Sequence, residues 1–264
     1  MAYAHTEVQP QRNEQGATLA RHSATEVAVV VPVYNEAESV GQLLAEIHAA
    51  LAGRVTYQVI YVDDGSTDDT LDTLTRALCT DKRLSVVRHR HRSGQSAAVR
   101  TGVERARAPW IVTLDGDGQN DPADIPRLLE LARRSPGIPS RRMVAGYRRH
   151  RHDTLTKRMS SRLANVVRQL VLGDGTPDSG CGLKVFPREA FMRLPPFDHM
   201  HRFLPALFLA QGGTVEVAEV HHRPRFSGRS KYGTLDRMLV SVIDILGVVW
   251  LRRRSMRVDA EELT

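Results

Sequence analysis

Cysteine is nearly absent. Cys79 and Cys181 are the only two in 264 residues. They form no CxxC or CxxH spacing, which argues against a disulfide scaffold and a cysteine-based zinc site and suits a reducing compartment. Lysine is almost as scarce. Only four of the 37 basic residues are lysines (Lys82, Lys157, Lys184 and Lys231), so arginine carries most of the net charge of +7. No run of about 18 uncharged apolar residues exists, so no ordinary membrane span is expected. The first 26 residues are polar and lack an apolar h-region, so no secretory signal is expected. HExxH is missing, as are helix-turn-helix, RNP and KH patterns, so no nucleic-acid partner is expected. Internal repeats and low-complexity segments are also missing.

What is present is enough for a sizeable core. Hydrophobic residues make up 41% and charged residues 25%, which excludes a disordered chain. The basic excess suits phosphorylated substrates or an anionic membrane face. Residues 1–25 lack periodicity and read as a flexible tail. Val27 to Val33 is a β-branched run of the kind that forms a parallel strand buried on both faces. A helix is expected over 36–51, from Val40, Leu43, Leu44, Ile47 and Leu51. Strands follow at Tyr57–Val62, Leu84–Arg88 and Trp110–Leu114, with helices between them. Four strand–helix alternations in about 90 residues predict an α/β sheet with parallel strands. Farther on, helices are expected after Pro122, at 153–172, at 203–211 and at 234–251. A short strand is expected at Met143–Gly146 and an alternating edge strand at Thr214–Val220.

Three polar clusters follow strands. Asp115-Gly116-Asp117-Gly118-Gln119 ends the fourth strand. Ligands of parallel sheets bind at the carboxyl ends of strands. Two carboxylates one residue apart, flanked by glycines, can face one divalent cation, and hard oxygen ligands suit Mg²⁺ or Mn²⁺. The same residues would also make an ordinary solvated turn. Asp63-Asp64-Gly65-Ser66-Thr67-Asp68 can hydrogen-bond a base or ribose, or cap the next helix through Ser66 or Asp68. In Pro32-Val33-Tyr34-Asn35-Glu36, Asn35 and Glu36 read equally as cap residues.

In order and spacing, these three clusters together resemble the motifs of the family 2 glycosyltransferases. Asp115-Gly116-Asp117-Gly118-Gln119-Asn120-Asp121-Pro122 looks most like the branch that glycosylates polyprenyl phosphates. The resemblance continues through Asp178-Ser179-Gly180-Cys181-Gly182-Leu183-Lys184 and Arg225 to Tyr232, so it covers about residues 26–251. It implies a GT-A fold: a mixed, mostly parallel sheet flanked by helices. It implies a metal-dependent inverting transfer from a nucleotide-diphosphate sugar to a polyprenyl phosphate. By the same resemblance, Pro32, Tyr34, Glu36 and Asp64 line the nucleotide pocket. Asp115, Asp117 and Gln119 resemble the residues that hold the Mg²⁺ or Mn²⁺ and the donor diphosphate. Arg148 and Arg158 fall where the family keeps phosphate contacts. Arg225, Arg229, Ser230 and Lys231 form either a clamp on the lipid phosphate or donor diphosphate, or a solvated basic loop. Asp178 resembles the acceptor-side carboxylate and reads as a base, an orienter or a loop cap. Cys181 reads as a packed small residue.

The expected organisation is a tail (1–25), a glycosyltransferase domain (26–233), an amphipathic C-terminal helix (234–254) and a second tail (255–264). The helix is short for a span, carries Asp236, Arg237 and Asp244, and ends in Arg252, Arg253 and Arg254. It reads as an interfacial helix on anionic lipid, or as a core or dimer helix. Many relatives of the branch continue into membrane spans, which makes a separate membrane protein a candidate partner. The expected location is cytoplasmic, peripheral to the inner face of the cytoplasmic membrane. Competing readings keep the family but use a saccharide or protein acceptor, with Asp178 as base, or see a non-catalytic nucleotide-sugar-binding module.

Overall fold

The computed structural model describes residues 25–134, 141–148, 171–225 and 234–254. The first half alternates strand and helix as the hydrophobic pattern predicts. It runs β1 (Val27–Val33), α1 (Ala37–Leu51), β2 (Tyr57–Asp63), α2 (Thr70–Leu78), β3 (Leu84–Arg88), α3 (Gln95–Arg105) and β4 (Trp110–Thr113). A 3₁₀ turn then leads into α4 (Ile125–Arg134), followed by β5 (Arg142–Tyr147), β6 (Lys184–Pro187), α5 (Arg188–Met192), α6 (Leu204–Ala210), β7 (Thr214–Glu219) and α7 (Thr234–Arg254). Most of the basic helix expected at 153–172 lies outside the described residues.

The seven strands form one sheet in the order β3-β2-β1-β4-β6-β5-β7. β1, β2, β3 and β4 are mutually parallel, and β5 and β7 pair in parallel. β6 runs antiparallel to both of its neighbours, β4 and β5. The sheet is therefore mixed and mostly parallel. β7 is an edge strand, as its alternation suggests.

The β1 run is buried along its whole length. Its side chains alternate between two cores, as the period of two in a strand requires. Val27, Val29, Val31 and Val33 pack with Leu43, Ile47 and Leu51 of α1 and Leu128 of α4. Ala28 and Val30 face Val99 and Val103 of α3, Phe191 of α5 and Phe208 of α6. Apolar side chains thus fill both faces of the sheet, and polar chemistry is confined to its ends.

Topology then decides where that chemistry gathers. The chain moves outward from β1 to β2 and β3, then returns to place β4 on the other side of β1. Strand order reverses between β1 and β4, and such switch points open a crevice at the carboxyl ends. Because β6 is antiparallel, its amino end meets the carboxyl end of β4, with Lys184 opposite Thr113. The 178–183 segment is delivered there, beside residues 147–148 from the end of β5. The chain leaving β7 bridges back through Asn120 and His222 to the loop after β4.

Candidate active site

The loop after β4 is fastened on three sides. Ser39 Oγ donates to the Gly116 carbonyl at 2.6 Å, tying the loop to the start of α1. A Cβ on Gly116 would lie 2.5 Å from Val33 Cγ1 and 3.0 Å from the Pro32 carbonyl, so this position has no room for a side chain. Arg223 secures the far side. Its backbone N–H donates to the Gln119 carbonyl at 2.9 Å, and its guanidinium grips both oxygens of Glu46 on α1, at 3.3 and 2.7 Å. The Asp-Gly-Asp-Gly-Gln segment is thus a braced ledge rather than a free turn.

On that ledge, Asp115 Oδ1 accepts from Gln95 Nε2 at 2.8 Å, in the first turn of α3. The rest of its carboxylate lies against Gly182, whose built Cβ would come 2.2–2.4 Å from the Asp115 Cγ and oxygens. Loss of solvent, followed by the charge of Asp117, pushes the Asp115 carboxyl up to about 6. Nearby Lys184 and Arg148 pull the other way. Asp117 Oδ1 accepts from the Gln119 backbone at 3.0 Å, and its Oδ2 accepts from Arg225 Nη2 at 2.8 Å. Arg225 also lies 3.8 Å from Glu36 Oε1. Glu36 stands at the N-cap position of α1, but its side chain makes no cap hydrogen bond and its carboxylate faces Arg225 instead.

A second pair sits beside Asp115. Arg148 Nε and Nη2 donate to the two oxygens of Asp178 at 2.6 and 2.9 Å, with both side chains largely buried. Burial works against the Arg148 charge, and the Asp178 contacts more than offset it, leaving the guanidinium firmly protonated. Below lies Lys184. It is buried, burial lowers its ammonium from the usual lysine range, and its Nζ donates to the Cys181 carbonyl. Cys181 is itself fully buried, and burial pushes its thiol up. Cys181 is therefore a packed residue and not a nucleophile.

The side expected to receive the nucleotide is built from the loops after β1 and β2, which are laced together. Asn35, with φ of 55°, donates its backbone N–H to Ser66 Oγ at 2.9 Å. The Thr67 backbone N–H donates to Asn35 Oδ1 at 2.8 Å. Ser66 therefore braces the loops, while Asp68, one residue before the N-cap Asp69, accepts from the Thr70 backbone at 3.0 Å. The Arg92 guanidinium lies 4.2 Å from the centroid of the Tyr34 ring. Asp64 is engaged from behind. It accepts from His89 Nδ1, the Ser93 N–H and the Gly94 N–H, each at 2.8 Å. Residues 93–95 consequently link Asp64 to Asp115.

The structure brings Pro32, Glu36, Asp115, Asp117, Gln119, Arg148, Asp178 and Arg225 to one region, with Tyr34 and Asp64 on its flank. Arg158, Arg229, Ser230 and Lys231 lie outside the described residues. Sequence reasoning missed Gln95, His89, Gly182, Lys184 and the Arg223–Glu46 clamp as parts of the site. Gly182 and Lys184 stood inside a quoted motif, and only the antiparallel placement of β6 gives them a role. The oxygen donors suit a hard divalent cation, and cations from three loops suit phosphate groups.

The family model for glycosyl transferase family 2 matches residues 28–194. The dodecaprenyl-phosphate galacturonate synthase of Rhizobium johnstonii is 34% identical over 238 residues, which cover 88% of this chain and 69% of that protein. The undecaprenyl-phosphate 4-deoxy-4-formamido-L-arabinose transferase of Pseudomonas fluorescens is 36% identical over 225 residues, 83% of this chain and 63% of that protein. The chain therefore spans about two thirds of the length of these relatives. Among solved structures, a glucosyl-3-phosphoglycerate synthase from Mycobacterium tuberculosis, in complex with Mn²⁺, UDP-glucose and glycerol 3-phosphate, superposes with a TM-score of 0.61 at 20% identity. The match covers 94% of this chain and 86% of that one. A mannosyltransferase from Pyrobaculum calidifontis, in complex with GDP-mannose and Mn²⁺, gives 0.60 at 21% identity, over 89% and 66%. At such identity these two structures speak for the fold alone.

Proposed function

Because the chain belongs to glycosyl transferase family 2, we propose that it moves a sugar, with inversion, from a nucleotide-diphosphate sugar to a polyprenyl phosphate. The observation that carries this reading is the braced Asp115–Asp117 ledge at the switch point, flanked by the Arg148–Asp178 pair. The named relatives, which act on dodecaprenyl and undecaprenyl phosphate, support the acceptor class.

The ledge fits Mg²⁺ or Mn²⁺. Its donors are hard oxygens, and the Asp115 carboxylate rests where a Cβ at residue 182 would otherwise be. A bound divalent ion would neutralise the charge that develops on the leaving diphosphate. The chain's own residues do the rest. Pro32, Tyr34, Glu36 and Asp64 receive the nucleoside. Asp115, Asp117 and Gln119 orient the diphosphate end, and Arg225 adds positive charge beside it. Arg229, Ser230 and Lys231 remain the proposed clamp on the lipid phosphate or donor diphosphate, and Arg158 a proposed phosphate contact.

Asp178 favours a phosphate acceptor over a saccharide hydroxyl. A hydroxyl needs a general base to take its proton. Both Asp178 oxygens already accept from the Arg148 guanidinium, so this carboxylate is committed to that contact. A phosphate oxygen is anionic already and needs positioning and charge neutralisation. Asp178 then acts by holding Arg148 in place.

The test of the metal ledge is a binding measurement with UDP, GDP and Mn²⁺. The free protein should bind Mn²⁺ more weakly as pH falls. A cation needs the Asp115 carboxylate, whose proton is half bound at about pH 6. Affinity should therefore hold above about pH 7 and drop toward tenfold per unit below about 6. A flat profile between pH 5 and 8, by Mn²⁺ titration, would remove Asp115 from the ligand set.

We place the enzyme at a membrane surface, peripheral to the inner face of the cytoplasmic membrane. No helix among the described residues is long and apolar enough to cross a membrane. The described half of α7 instead has two faces. Val248 is fully buried, Ile245 and Val249 pack against the core, and Asp244 meets His199 at 3.0 Å. Ile243, Leu246 and Trp250 are 69%, 63% and 62% exposed, and Arg253 and Arg254 lie exposed beyond them. Spacings of three and four put the apolar three on one stripe. This combination suits the acyl–headgroup boundary of an anionic bilayer. The double change Leu246→Glu and Trp250→Glu should cut binding to anionic vesicles at least tenfold without unfolding the protein. Each lost insertion is worth about 1.5–3 kcal/mol. Unchanged co-sedimentation would return this face to ordinary surface.

A further inference from the structure

Arg225 holds a position that charge alone makes conditional. Its Nη2 donates to Asp117 Oδ2 at 2.8 Å, and its Nη1 approaches Glu36 Oε1 at 3.8 Å. The other Asp117 oxygen is taken by the Gln119 backbone. Both Asp117 oxygens are therefore engaged, one of them by a cation. The side chains of Asp117 and Arg225 are only 12% and 27% exposed, so solvent screens the pair incompletely. Asp115, the neighbouring carboxylate, is engaged by a neutral amide instead.

We infer that Arg225 is the resident counter-ion of Asp117, and that the divalent cation displaces it from this oxygen when nucleoside diphosphate enters. This rests on the reading of Asp115 and Asp117 as metal ligands. A divalent ion bound at Oδ2 would lie close to the guanidinium and repel it. The ion, with twice the charge, would hold the oxygen more strongly. The guanidinium would then be released beside Glu36, 3.8 Å away, and be available to an anionic diphosphate.

One residue thereby has opposite effects in two states. In the free protein Arg225 competes with the metal. In the donor complex it and the metal neutralise the same diphosphate. The difference is a coupling free energy, and linkage makes it reciprocal: nucleoside diphosphate raises metal affinity as much as metal raises nucleotide affinity. The site loads metal and donor as a pair and discourages metal alone.

Electron paramagnetic resonance titration of Mn²⁺ on the full chain tests this, with and without UDP or GDP. The comparison is wild type against Arg225→Gln and Arg225→Lys, each checked for an unchanged thermal melt. Without nucleotide, Arg225→Gln should bind Mn²⁺ roughly three- to tenfold more tightly than wild type, the range expected for one half-buried charge-assisted contact. Arg225→Lys, which keeps the charge, should stay close to wild type. With nucleoside diphosphate, the enhancement of Mn²⁺ affinity should be larger in wild type than in Arg225→Gln. Equal or weaker Mn²⁺ binding by free Arg225→Gln, with undiminished enhancement, overturns the inference while leaving the metal ledge intact. No Mn²⁺ binding by wild type, even with nucleotide, overturns the ledge and the inference together.

Discussion

Replacing Gly182 with alanine will abolish sugar transfer while the protein remains folded. A Cβ at this position would sit 2.2–2.4 Å from three atoms of the Asp115 carboxylate, far inside contact distance. Something must move, and the backbone is the less free partner. Thr113 Oγ1 donates to the Gly182 carbonyl at 2.7 Å, and Lys184 holds the carbonyl before it. Both holders sit in the sheet, in register with one another. The carboxylate of Asp115 therefore yields, leaving Gln95 and the place where it would meet a metal. A misplacement of about 1 Å at a reacting centre can cost on the order of 100-fold. We expect kcat/KM to fall at least that far, Mn²⁺ affinity in the nucleotide complex to fall with it, and Tm to change by a few degrees at most. Wild-type turnover in Gly182→Ala would show that the close approach has no bearing on the chemistry.

Arg148→Met is expected to have the largest effect on stability. The Arg148 and Asp178 side chains are 13% and 8% exposed, and their two-point contact lies beside a buried lysine and a buried thiol. Removing one partner of a buried pair strands the other charge, at a cost of about 3–5 kcal/mol. In a domain of this size that corresponds to a Tm drop of roughly 10 °C. The double variant Arg148→Met with Asp178→Leu should recover most of the loss, because an apolar pair of similar volume is often neutral. Thermal denaturation of the three proteins measures this. A single-variant loss under about 1 kcal/mol would mean that water reaches the pair.

The two predictions mark where the sequence was legible and where it was not. β1 could be read from its β-branched run, because a strand buried on both faces has no polar residues to interrupt it. The Asp115–Gln119 ledge could be read because its spacing is local and it follows a strand. Glu36 was ambiguous: a carboxylate at a helix start is also a common cap, and only Arg225, distant in the chain, shows which way it faces. Gly182 could not be read as part of the site. Its importance comes from β6 running antiparallel into β4, which pairs residues about 70 positions apart, and a glycine has no side chain to advertise the contact. Lys184 stood at the end of the quoted motif, and its burial beside the site likewise follows from the pairing of β6 with β4. Asp64 was read as a nucleotide contact, and the structure adds that His89, Ser93 and Gly94 hold it from behind. The roles of Arg158, Arg229, Ser230 and Lys231 rest on sequence resemblance.

The central claim is metal-dependent transfer to a polyprenyl phosphate at the Asp115–Asp117 ledge. The most direct measurement incubates the purified chain with a panel of nucleotide sugars, undecaprenyl phosphate in detergent or vesicles, and Mn²⁺ or Mg²⁺, and reads the lipid product by mass. The account predicts one glycosyl-phosphoryl-undecaprenol product whose formation stops with excess chelator and with Asp117→Ala. Full product formation in chelator, or transfer to a saccharide or protein acceptor with none to the lipid phosphate, would contradict it.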